Sequence, residues 1–519
     1  MLKKSAAVLA SSTMLFAGAA FGGGQEVHAG EHETSEVKNV IYMIPDGYST
    51  SYATNYRWFK GEDSAFDPYL KGMMKTYSED SEVTDSAAAG TAMATGSKTN
   101  NGMVGVTPDG EEVESILDVS EKAGKSSGLV ATSTITHATP ATFGSSVKDR
   151  DDQAKIAPQY LENDVDVIMG GGKEYFLPES EGGKQKENNL VEQAQEDGYS
   201  YVENKEEMMD LKEDEKVLGL FAEGPMSSEL DRDETDQPSL SDMTSSAIDA
   251  LSQDEDGFFL MVEGSQIDWA GHAHDAAWAM NDTQAFEKAV TEALEFAKQD
   301  KNTLVVIAGD HDTGGMSVGA NGEYDVKQDV VQEITATGDH MAEQLNDDKS
   351  NIKDVVNEYT GLELSKEEVE TIRSSETPNA AINQIVSDRA LVGWTSSNHT
   401  GVDVPVYAFG PSSDQFSGLV NNTDMPKKIA AAMGHKLDDE DGGHEGGMAW
   451  KEHDGIEYAV PMGGWHKGSV VDYLKSNGYK ANFSFRGEIA DSFDINNYQG
   501  TYDQNVFMLQ TLKDEWHSK

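Results

Sequence analysis

The chain has 519 residues, of which 37% are hydrophobic, and no cysteine. It can bury a large core, whereas disulfides and zinc–thiolate sites are excluded. Its 93 acidic and 39 basic residues give a formal net charge of −54, and such a surface repels nucleic acid and anionic lipid. We therefore expect no nucleic acid as a stable partner, and any metal ion must bind imidazole and oxygen ligands.

The first 29 residues have the pattern of a secretory signal peptide. Lysines near the start precede an apolar stretch from Ala6 to Phe21, and the signal pattern as a whole ends near Ala29. We expect a secreted protein, extracellular or associated with the cell wall, whose mature chain begins near Gly30. An uncleaved membrane anchor is the alternative, but the polar run Ser11–Thr13 interrupts the apolar stretch.

Unbroken apolar runs of strand length recur along the chain. They are Val37–Ile44, Gly128–Ala131, Val165–Met169, Val217–Phe221, Phe258–Val262, Leu304–Ile307 and Val404–Phe409. Runs of this kind are typical of strands buried on both faces. Helix-length segments such as 115–123 and 285–298 lie between them. The pattern predicts an α/β fold with a doubly wound, mostly parallel sheet and helices on both faces.

The rest of the chain indicates further parts around this sheet. Helical periodicity over about residues 320–390, with a capping box at Ser365-Lys-Glu-Glu368, predicts a helical insertion over the site. The acidic, glycine-containing segment 438–467 predicts a linker. We expect a catalytic domain over residues 30–437 and a small C-terminal module over residues 468–519.

The serine in Thr84-Asp85-Ser86-Ala87-Ala88 is a candidate nucleophile. Small residues follow it and suit a closely packed helix whose N-terminal N–H groups face an anion. A serine hydroxyl needs a base or a metal ion to become nucleophilic. Taken alone, the Asp-Ser pair is far more typical of a helix N-cap than of a nucleophile, so its interpretation as a nucleophile depends on metal ligands elsewhere.

Polar side chains follow several of the predicted strands. Asp46 follows the first run, Glu263 closes the fifth, Asp310 and His311 follow the sixth, and Thr139 lies in the loop after the second. In parallel sheets, ligands bind outside the carboxyl ends of the strands. We therefore expect these side chains to meet at one edge.

Three further residues add potential metal ligands. Asp268 and His272 are four residues apart and would share one face of a helical turn. His399 is another nitrogen donor. Each residue alone reads as an ordinary surface group. Together, oxygen and imidazole donors without sulfur suit zinc, and a site built only of oxygens suits magnesium.

These motifs occur in an order that resembles the alkaline phosphatase family over about residues 37–435. The matching motifs are Pro45-Asp46-Gly47, Thr84 to Ala88, His137-Ala138-Thr139-Pro140, Arg150, Glu263 to His272, Asp310-His311 and His399-Thr400-Gly401. The resemblance implies one zinc on Asp268, His272 and His399. It implies a second zinc on Asp46, Asp310, His311 and the Ser86 hydroxyl. It also implies a magnesium ion on Asp46, Thr139 and Glu263, and phosphate binding by Arg150.

The resemblance implies a secreted phosphomonoesterase that acts on small phosphate esters through a phosphoserine, and it allows a homodimer. Two positions differ from the best-known bacterial form: His137 stands where that form has Asp, and Trp269 where it has Lys. We expect His137 either to orient the magnesium ligands or only to bond a neighbouring carboxylate. Trp269 is expected to pack over the site or stack on an aromatic leaving group, and Asp85 to lie beside the substrate.

Two other functions fit parts of the sequence. A phosphodiesterase or a phosphoglycerate-mutase-like enzyme of the same superfamily would share the two-metal core, but Thr139, Glu263 and Arg150 favour the monoesterase. A non-catalytic acidic wall protein that binds divalent cations is the other alternative.

The C-terminal residues 468–519 resemble the short cell-wall-binding repeats of Bacillus-type lysins. The similarity includes Ser469-Val-Val-Asp-Tyr-Leu-Lys-Ser-Asn-Gly478 and Phe483-Ser-Phe-Arg-Gly-Glu-Ile489. It implies contact with peptidoglycan, while a helical appendage that packs on the catalytic domain is the alternative.

The net charge predicts a halophilic protein that is more stable in concentrated salt. We expect the melting temperature to rise between about 0.1 M and about 2 M NaCl, because the Debye length falls from ~10 Å to under ~3 Å and screens the repulsion between carboxylates. Differential scanning calorimetry measures this directly. A flat or falling melting temperature would contradict the prediction.

Overall fold

The computed structural model describes residues 37–212, 216–437, 448–453 and 456–461, the last two segments as strands. The predicted signal peptide 1–29 and the predicted module 468–519 lie outside the described residues and stay predictions. No helix in the described part of the chain combines the length and apolarity needed to cross a membrane.

The described residues form both strands and helices. The strands are β1 (Asn39–Pro45), β2 (Leu70–Lys75), β3 (Ser126–Thr134), β4 (Val167–Gly171), β5 (Tyr199–Val202), β6 (Lys216–Leu220), β7 (Phe258–Gly264), β8 (Thr303–Ala308), β9 (Asp312–Thr313), β10 (Ser317–Val318), β11 (Val392–Gly393), β12 (His399–Thr400), β13 (Val404–Phe409), β14 (Gly418–Asn421), β15 (Met448–His453) and β16 (Ile456–Pro461). The α-helices are α1 (Thr50–Lys60), α2 (Ser86–Thr95), α3 (Ile116–Lys122), α4 (Ala138–Gly144), α5 (Gln153–Glu162), α6 (Leu190–Glu196), α7 (Lys205–Met209), α8 (Leu240–Leu251), α9 (Gln266–His272), α10 (Ala276–Asp300), α11 (Gln328–Gln332), α12 (Gly338–Glu343), α13 (Ile352–Thr360), α14 (Lys366–Ser374), α15 (Pro378–Ala390) and α16 (Asp424–Ala432).

Ten of these strands form one sheet in the order β14-β2-β13-β8-β1-β7-β3-β4-β6-β5. Strand β13 runs antiparallel to both of its neighbours, and the other neighbouring strands in this sheet are parallel. The predicted α/β fold with a mostly parallel, doubly wound sheet is therefore confirmed.

Strand β1 shows why helices pack on both faces of the sheet. Its side chains alternate between two apolar cores: Val40, Tyr42 and Ile44 belong to one core, and Ile41 and Met43 to the other. All five are fully buried. Because successive side chains of a strand point to opposite faces, an unbroken apolar run requires a cover on each side.

Each apolar run of the sequence coincides with a strand of this sheet, but β2, β5 and β14 were not predicted. These three strands lie at or near the edges of the sheet, and several of their residues are exposed or half-buried. A strand that is covered incompletely does not require a continuous apolar run, so the sequence contains no comparable pattern there.

The predicted helical region over the site contains α11 to α15. Helices α12 to α15 contribute to a separate small core that includes Met341, Val356, Ile372 and Ile385. The predicted capping box is present at the start of α14, where Ser365 and Glu368 bond each other's backbone N–H groups. Within the predicted linker, β15 and β16 form an antiparallel pair, and the bounds of that linker stay a prediction.

Four adjacent strands in the middle of the sheet, β8, β1, β7 and β3, are parallel, so their carboxyl ends lie side by side along one end of the sheet. Asp46 follows β1, Glu263 is the last but one residue of β7, and Asp310 comes shortly after the end of β8. Glu263 is paired in register with Ile44 of β1 and Ala131 of β3, so it occupies the middle of this edge. The topology therefore brings together residues that are far apart in the sequence.

A close backbone contact at Gly309 holds two of these strand ends together. A Cβ atom at Gly309 would lie 2.4 Å from the carbonyl oxygen of Tyr48, so the replacement Gly309→Ala must push the chain after β8 away from the chain after β1. We expect it to lower the free energy of unfolding by about 1–3 kcal/mol, the usual cost of overpacking, in urea titrations.

The matched control is Gly224→Ala, because a Cβ atom there meets nothing within 4 Å. It should change the free energy of unfolding by less than about 0.5 kcal/mol. Equal stabilities of the two variants would contradict the importance of the Gly309 contact.

Candidate metal centre and nucleophile

Helix α2 presents Ser86 as its first residue. The preceding Asp85 has extended backbone angles and caps the helix, since its Oδ1 accepts a hydrogen bond of 2.9 Å from Ala88 N. All ten residues of α2 are buried, and its small side chains allow close approach, with Gly90 against Thr142. Ser86 is 2% exposed, and its Oγ lies 3.1 Å from His311 Nε2.

The segment after β8 brings Asp310 and His311 to this hydroxyl. Asp310 Oδ1 accepts from the backbone N–H groups of Gly47 (3.1 Å) and His311 (3.0 Å). Its Oδ2 lies 3.1 Å from His311 Nε2, and Asp46 Oδ1 lies 3.4 Å from the same nitrogen. The Ser86 hydroxyl and two carboxylates therefore converge on one imidazole.

Helix α9 places Asp268 and His272 on one face, as the four-residue spacing predicts. His272 Nε2 lies 3.4 Å from Asp268 Oδ2, and His399 Nε2 lies 3.4 Å from Asp268 Oδ1. The other ring nitrogens face backbone carbonyls: Nδ1 of His272 lies 2.7 Å from Ser397 O, and Nδ1 of His399 lies 2.8 Å from Thr84 O. Because a carbonyl only accepts, each Nδ1 carries the hydrogen and each Nε2 is free to bind a metal.

The oxygen side of the cluster contains Glu263 and Thr139. Both are fully buried. Thr139 Oγ1 donates to Asp46 Oδ2 over 3.4 Å, and Ser133 Oγ donates to Glu263 Oε2 over 3.3 Å. Asp46 therefore lies between an oxygen-rich group and the imidazole of His311.

Several carboxylate oxygens of the cluster accept no hydrogen bond although they are buried. They are Asp46 Oδ1, Glu263 Oε1 and Asp310 Oδ2. A buried charged oxygen without a partner is costly, and a cation provides what is missing. Potential ligand atoms lie within 4.8 Å of one another in two groups, Asp268/His272/His399 and Asp46/Asp268/His311. The donor chemistry thus fits zinc at the mixed nitrogen and oxygen positions and magnesium beside Thr139 and Glu263.

The charges of these carboxylates influence one another. Burial, and then the charge of Asp310, raise the pKa of Asp46 well above its usual range. Burial also raises the pKa of Glu263 to about 7. Burial opposes the ionisation of Asp268, but the neighbouring imidazoles of His272 and His399 hold its pKa well below the usual range. Without cations, Asp46 and Glu263 are therefore the two carboxyl groups of this cluster whose raised pKa keeps them protonated to higher pH.

Arg150 lies beside the nucleophile helix. Its Nη1 donates to Asp85 Oδ2 over 2.9 Å, and its Nη2 donates to His137 Nε2 over 3.2 Å. Since a guanidinium only donates, His137 accepts with Nε2 and is neutral; burial, and then the charge of Arg150, lower the pKa of His137 to about 4. The His137 ring stands edge-on to Trp269, with 5.7 Å between ring centroids.

The structure therefore brings the sequence-predicted residues into one region. Ser86, Asp46, Thr139, Glu263, Asp268, His272, Asp310, His311 and His399 form a connected cluster, and Asp85, Arg150, His137 and Trp269 form a second chain of contacts that starts beside Ser86. The sequence analysis missed Thr313, whose Oγ1 donates to Asp268 Oδ1. The contacts of the Thr84 and Ser397 carbonyl groups with His399 and His272 were not predicted either, because every residue has a carbonyl group and the sequence does not indicate which one faces an imidazole.

A buried serine hydroxyl beside imidazole and carboxylate groups that can hold several cations is the arrangement of a metal-dependent hydrolase with a serine nucleophile. The comparisons with known proteins agree with this class. The profile of the alkaline phosphatase family matches residues 37–435. The chain therefore belongs to the alkaline phosphatase family, and the prediction of a phosphomonoesterase is confirmed.

Individual relatives cover most of the chain. It is 43% identical to alkaline phosphatase 4 of Bacillus subtilis in an alignment of 446 positions that covers 82% of this chain and 95% of that protein. The crystal structure of a cold-active alkaline phosphatase from Shewanella sp. superposes with a TM-score of 0.70 at 36% identity, over 76% of this chain and 99% of that one.

Metal dependence is a property of the family. A mutant alkaline phosphatase of the Antarctic bacterium TAB5, with a TM-score of 0.59 and 29% identity over 78% of this chain and 99% of that one, has Mg bound in its M3 site. The grouped ligands described above agree with a metal-dependent member of the family.

Removal of metal ions should destabilise the protein, because the buried carboxylates then lose their cations. After dialysis against EDTA we expect a lower melting temperature, with each bound ion worth about 4 kcal/mol when its free concentration is 1,000 times its dissociation constant. Calorimetry together with the metal content by mass spectrometry measures both quantities.

A matched control for metal removal is Ser86→Ala, which keeps every carboxylate and imidazole of the cluster. It should lose stability on EDTA treatment nearly as the natural sequence does. An EDTA-treated protein that is emptied of metal but melts at the same temperature would contradict the prediction.

Proposed function

We propose that the chain hydrolyses phosphate monoesters through a phosphoserine on Ser86, with two zinc ions and one magnesium ion as cofactors. The observation that carries this proposal is the buried Ser86 Oγ, 3.1 Å from His311 Nε2, beside a cluster of carboxylates of which three have a buried oxygen that accepts no hydrogen bond. The similarity to alkaline phosphatases supports the same chemistry.

The proposed ligands form three sets according to their donor atoms, two with imidazole nitrogens and carboxylates and one with oxygens only. Asp268, His272 and His399 would hold one zinc. A second zinc would be held by Asp46, Asp310, His311 and the Ser86 hydroxyl. Asp46, Thr139 and Glu263 would hold magnesium. The close approach of an Asp268 oxygen to Asp46 and His311 supports the placement of Asp268 between the two zinc positions.

When bound, such ions lower the pKa of coordinated hydroxyl groups and offset the negative charge that develops at phosphorus. Ser86 Oγ attacks the phosphorus, the ester bond breaks, and the alcohol leaves with the proton that the serine gives up. Water then attacks the phosphoserine and releases inorganic phosphate and the free serine. Ser86 suits this role because α2 fixes its position and its backbone N–H groups face the anion.

Arg150 would bind two oxygens of the phosphoryl group. The hydrogen bonds to Asp85 and His137 hold the planar guanidinium in one orientation. A planar group in a fixed orientation suits bidentate binding of a phosphate. His137 and Asp85 would thus act through Arg150. Trp269, half-buried beside His137, would face the leaving group and contact an aromatic alcohol.

The remaining predictions from sequence concern the two ends of the chain, its response to salt and its oligomeric state. We propose secretion with removal of residues 1–29, adaptation to high salt, and contact of residues 468–519 with peptidoglycan. The basis is the N-terminal apolar stretch, the net charge of −54 and the lysin-like C-terminal motifs. The homodimer also stays a prediction.

Replacement of the nucleophile tests the mechanism. Ser86→Ala should lower kcat on p-nitrophenyl phosphate by several orders of magnitude, about 10⁴-fold or more, because the covalent step is lost. Its metal content should stay close to that of the natural sequence. The control Ser146→Ala, whose Oγ donates to Gly105 O, should keep full activity.

The same assay separates the alternatives. A monoesterase prefers p-nitrophenyl phosphate, whereas faster hydrolysis of bis(p-nitrophenyl) phosphate would favour the phosphodiesterase. If neither the natural protein nor the Ser86→Ala variant releases phosphate when it is loaded with metal, the chain would be the non-catalytic cation-binding protein.

Contact with the cell wall is testable by truncation. The full chain should sediment with purified peptidoglycan, and a chain that ends at Leu437 should stay in solution with unchanged phosphatase activity. Equal sedimentation of both chains in low and high salt would contradict wall binding through the C-terminal residues.

A further inference from the structure

Two imidazoles of one short segment face consecutive carbonyl groups of a distant loop. His272 Nδ1 lies 2.7 Å from Ser397 O, and His274 Nε2 lies 2.6 Å from Ser396 O. We infer that His274 is a positioning residue that fixes the loop 394–398 and thereby orients His272 and His399 as zinc ligands. This inference rests on the proposed function, in which those two histidines share a zinc with Asp268.

The loop influences two of the three proposed ligands. Ser397 O accepts from His272 Nδ1 and so determines where His272 Nε2 points. The loop then leads directly into His399, whose Nε2 lies 3.3 Å from His272 Nε2. A shift of the loop would therefore move one ligand and rotate the other.

His274 holds this loop by a second contact besides the hydrogen bond. Its ring is nearly parallel to that of Trp394, with 5.1 Å between centroids and 9° between planes. Trp394 Nε1 donates to Ser387 Oγ over 3.0 Å, and Ser387 Oγ donates to His274 O over 3.2 Å. His274, Trp394 and Ser387 thus form a closed circuit of contacts that ties the loop to helix α15.

The backbone of His274 makes these contacts geometrically accessible. The residue lies between the end of α9 at His272 and the start of α10 at Ala276, and its φ is +54°. Histidine and asparagine tolerate this left-handed conformation better than most residues. The turn directs the His274 ring back to the loop, while His272, two residues earlier, faces Asp268.

The substitution His274→Asn tests the role, because asparagine accepts the same backbone conformation but is too short to reach Ser396 O and has no ring to stack on Trp394. We expect one zinc equivalent to bind about 10–100-fold more weakly in chelator competition, the usual effect of losing a group that supports a metal ligand. The second zinc should be retained, and excess zinc should restore turnover. The melting temperature of the metal-free protein should be unchanged.

His340→Asn is the matched control, since His340 lies in α12 and its Nε2 is 3.3 Å from Tyr359 Oη; the zinc affinities of this variant should equal those of the natural sequence. If His274→Asn does not fold, Ser387→Ala removes the attachment of Trp394 and should weaken the same zinc to a smaller extent. Unchanged zinc affinity in the folded variant would overturn the inference. If the natural sequence itself binds fewer than two zinc ions or hydrolyses no monoester, the proposed function falls first.

Discussion

Several carboxylates are buried together at one edge of the sheet, and this is the constraint on which the rest of the site depends. Asp46, Glu263, Asp268 and Asp310 are each no more than 3% exposed, and three of them, Asp46, Glu263 and Asp310, each have one oxygen that accepts no hydrogen bond. Adjacent parallel strands make this concentration of charge unavoidable, because their carboxyl ends meet at one edge. Cations bound here would therefore stabilise the fold as well as take part in the chemistry.

The groups around this cluster determine its orientation. Carbonyl oxygens of Thr84 and Ser397 face the Nδ1 atoms of His399 and His272, which leaves the Nε2 atoms for metal binding. Asp85 has two tasks: Oδ1 caps α2, and Oδ2 accepts from Arg150. The start of α2 at Ser86 and the guanidinium of Arg150 are thereby fixed to each other by one side chain.

The sequence predicted the central strands because both of their faces are covered, which requires unbroken apolar runs such as Phe258–Val262. It predicted the candidate site because Ser86, Asp310 and the other members occur in motifs at strand and helix ends. It did not predict the edge strands, whose partial exposure leaves no such pattern. Nor could it reveal carbonyl partners, since every residue has a carbonyl and only the folded chain decides which one faces an imidazole.

The small separate core of α12 to α15 has a consequence for how this protein can change. These helices pack around their own apolar residues and are tied to the segment after α9 by hydrogen bonds such as Gly338 N to Asp275 Oδ2 and Asn383 Nδ2 to Ala273 O. Because these helices share a core of their own, we expect them to be exchangeable between related proteins as a unit, provided that these few anchoring bonds are kept.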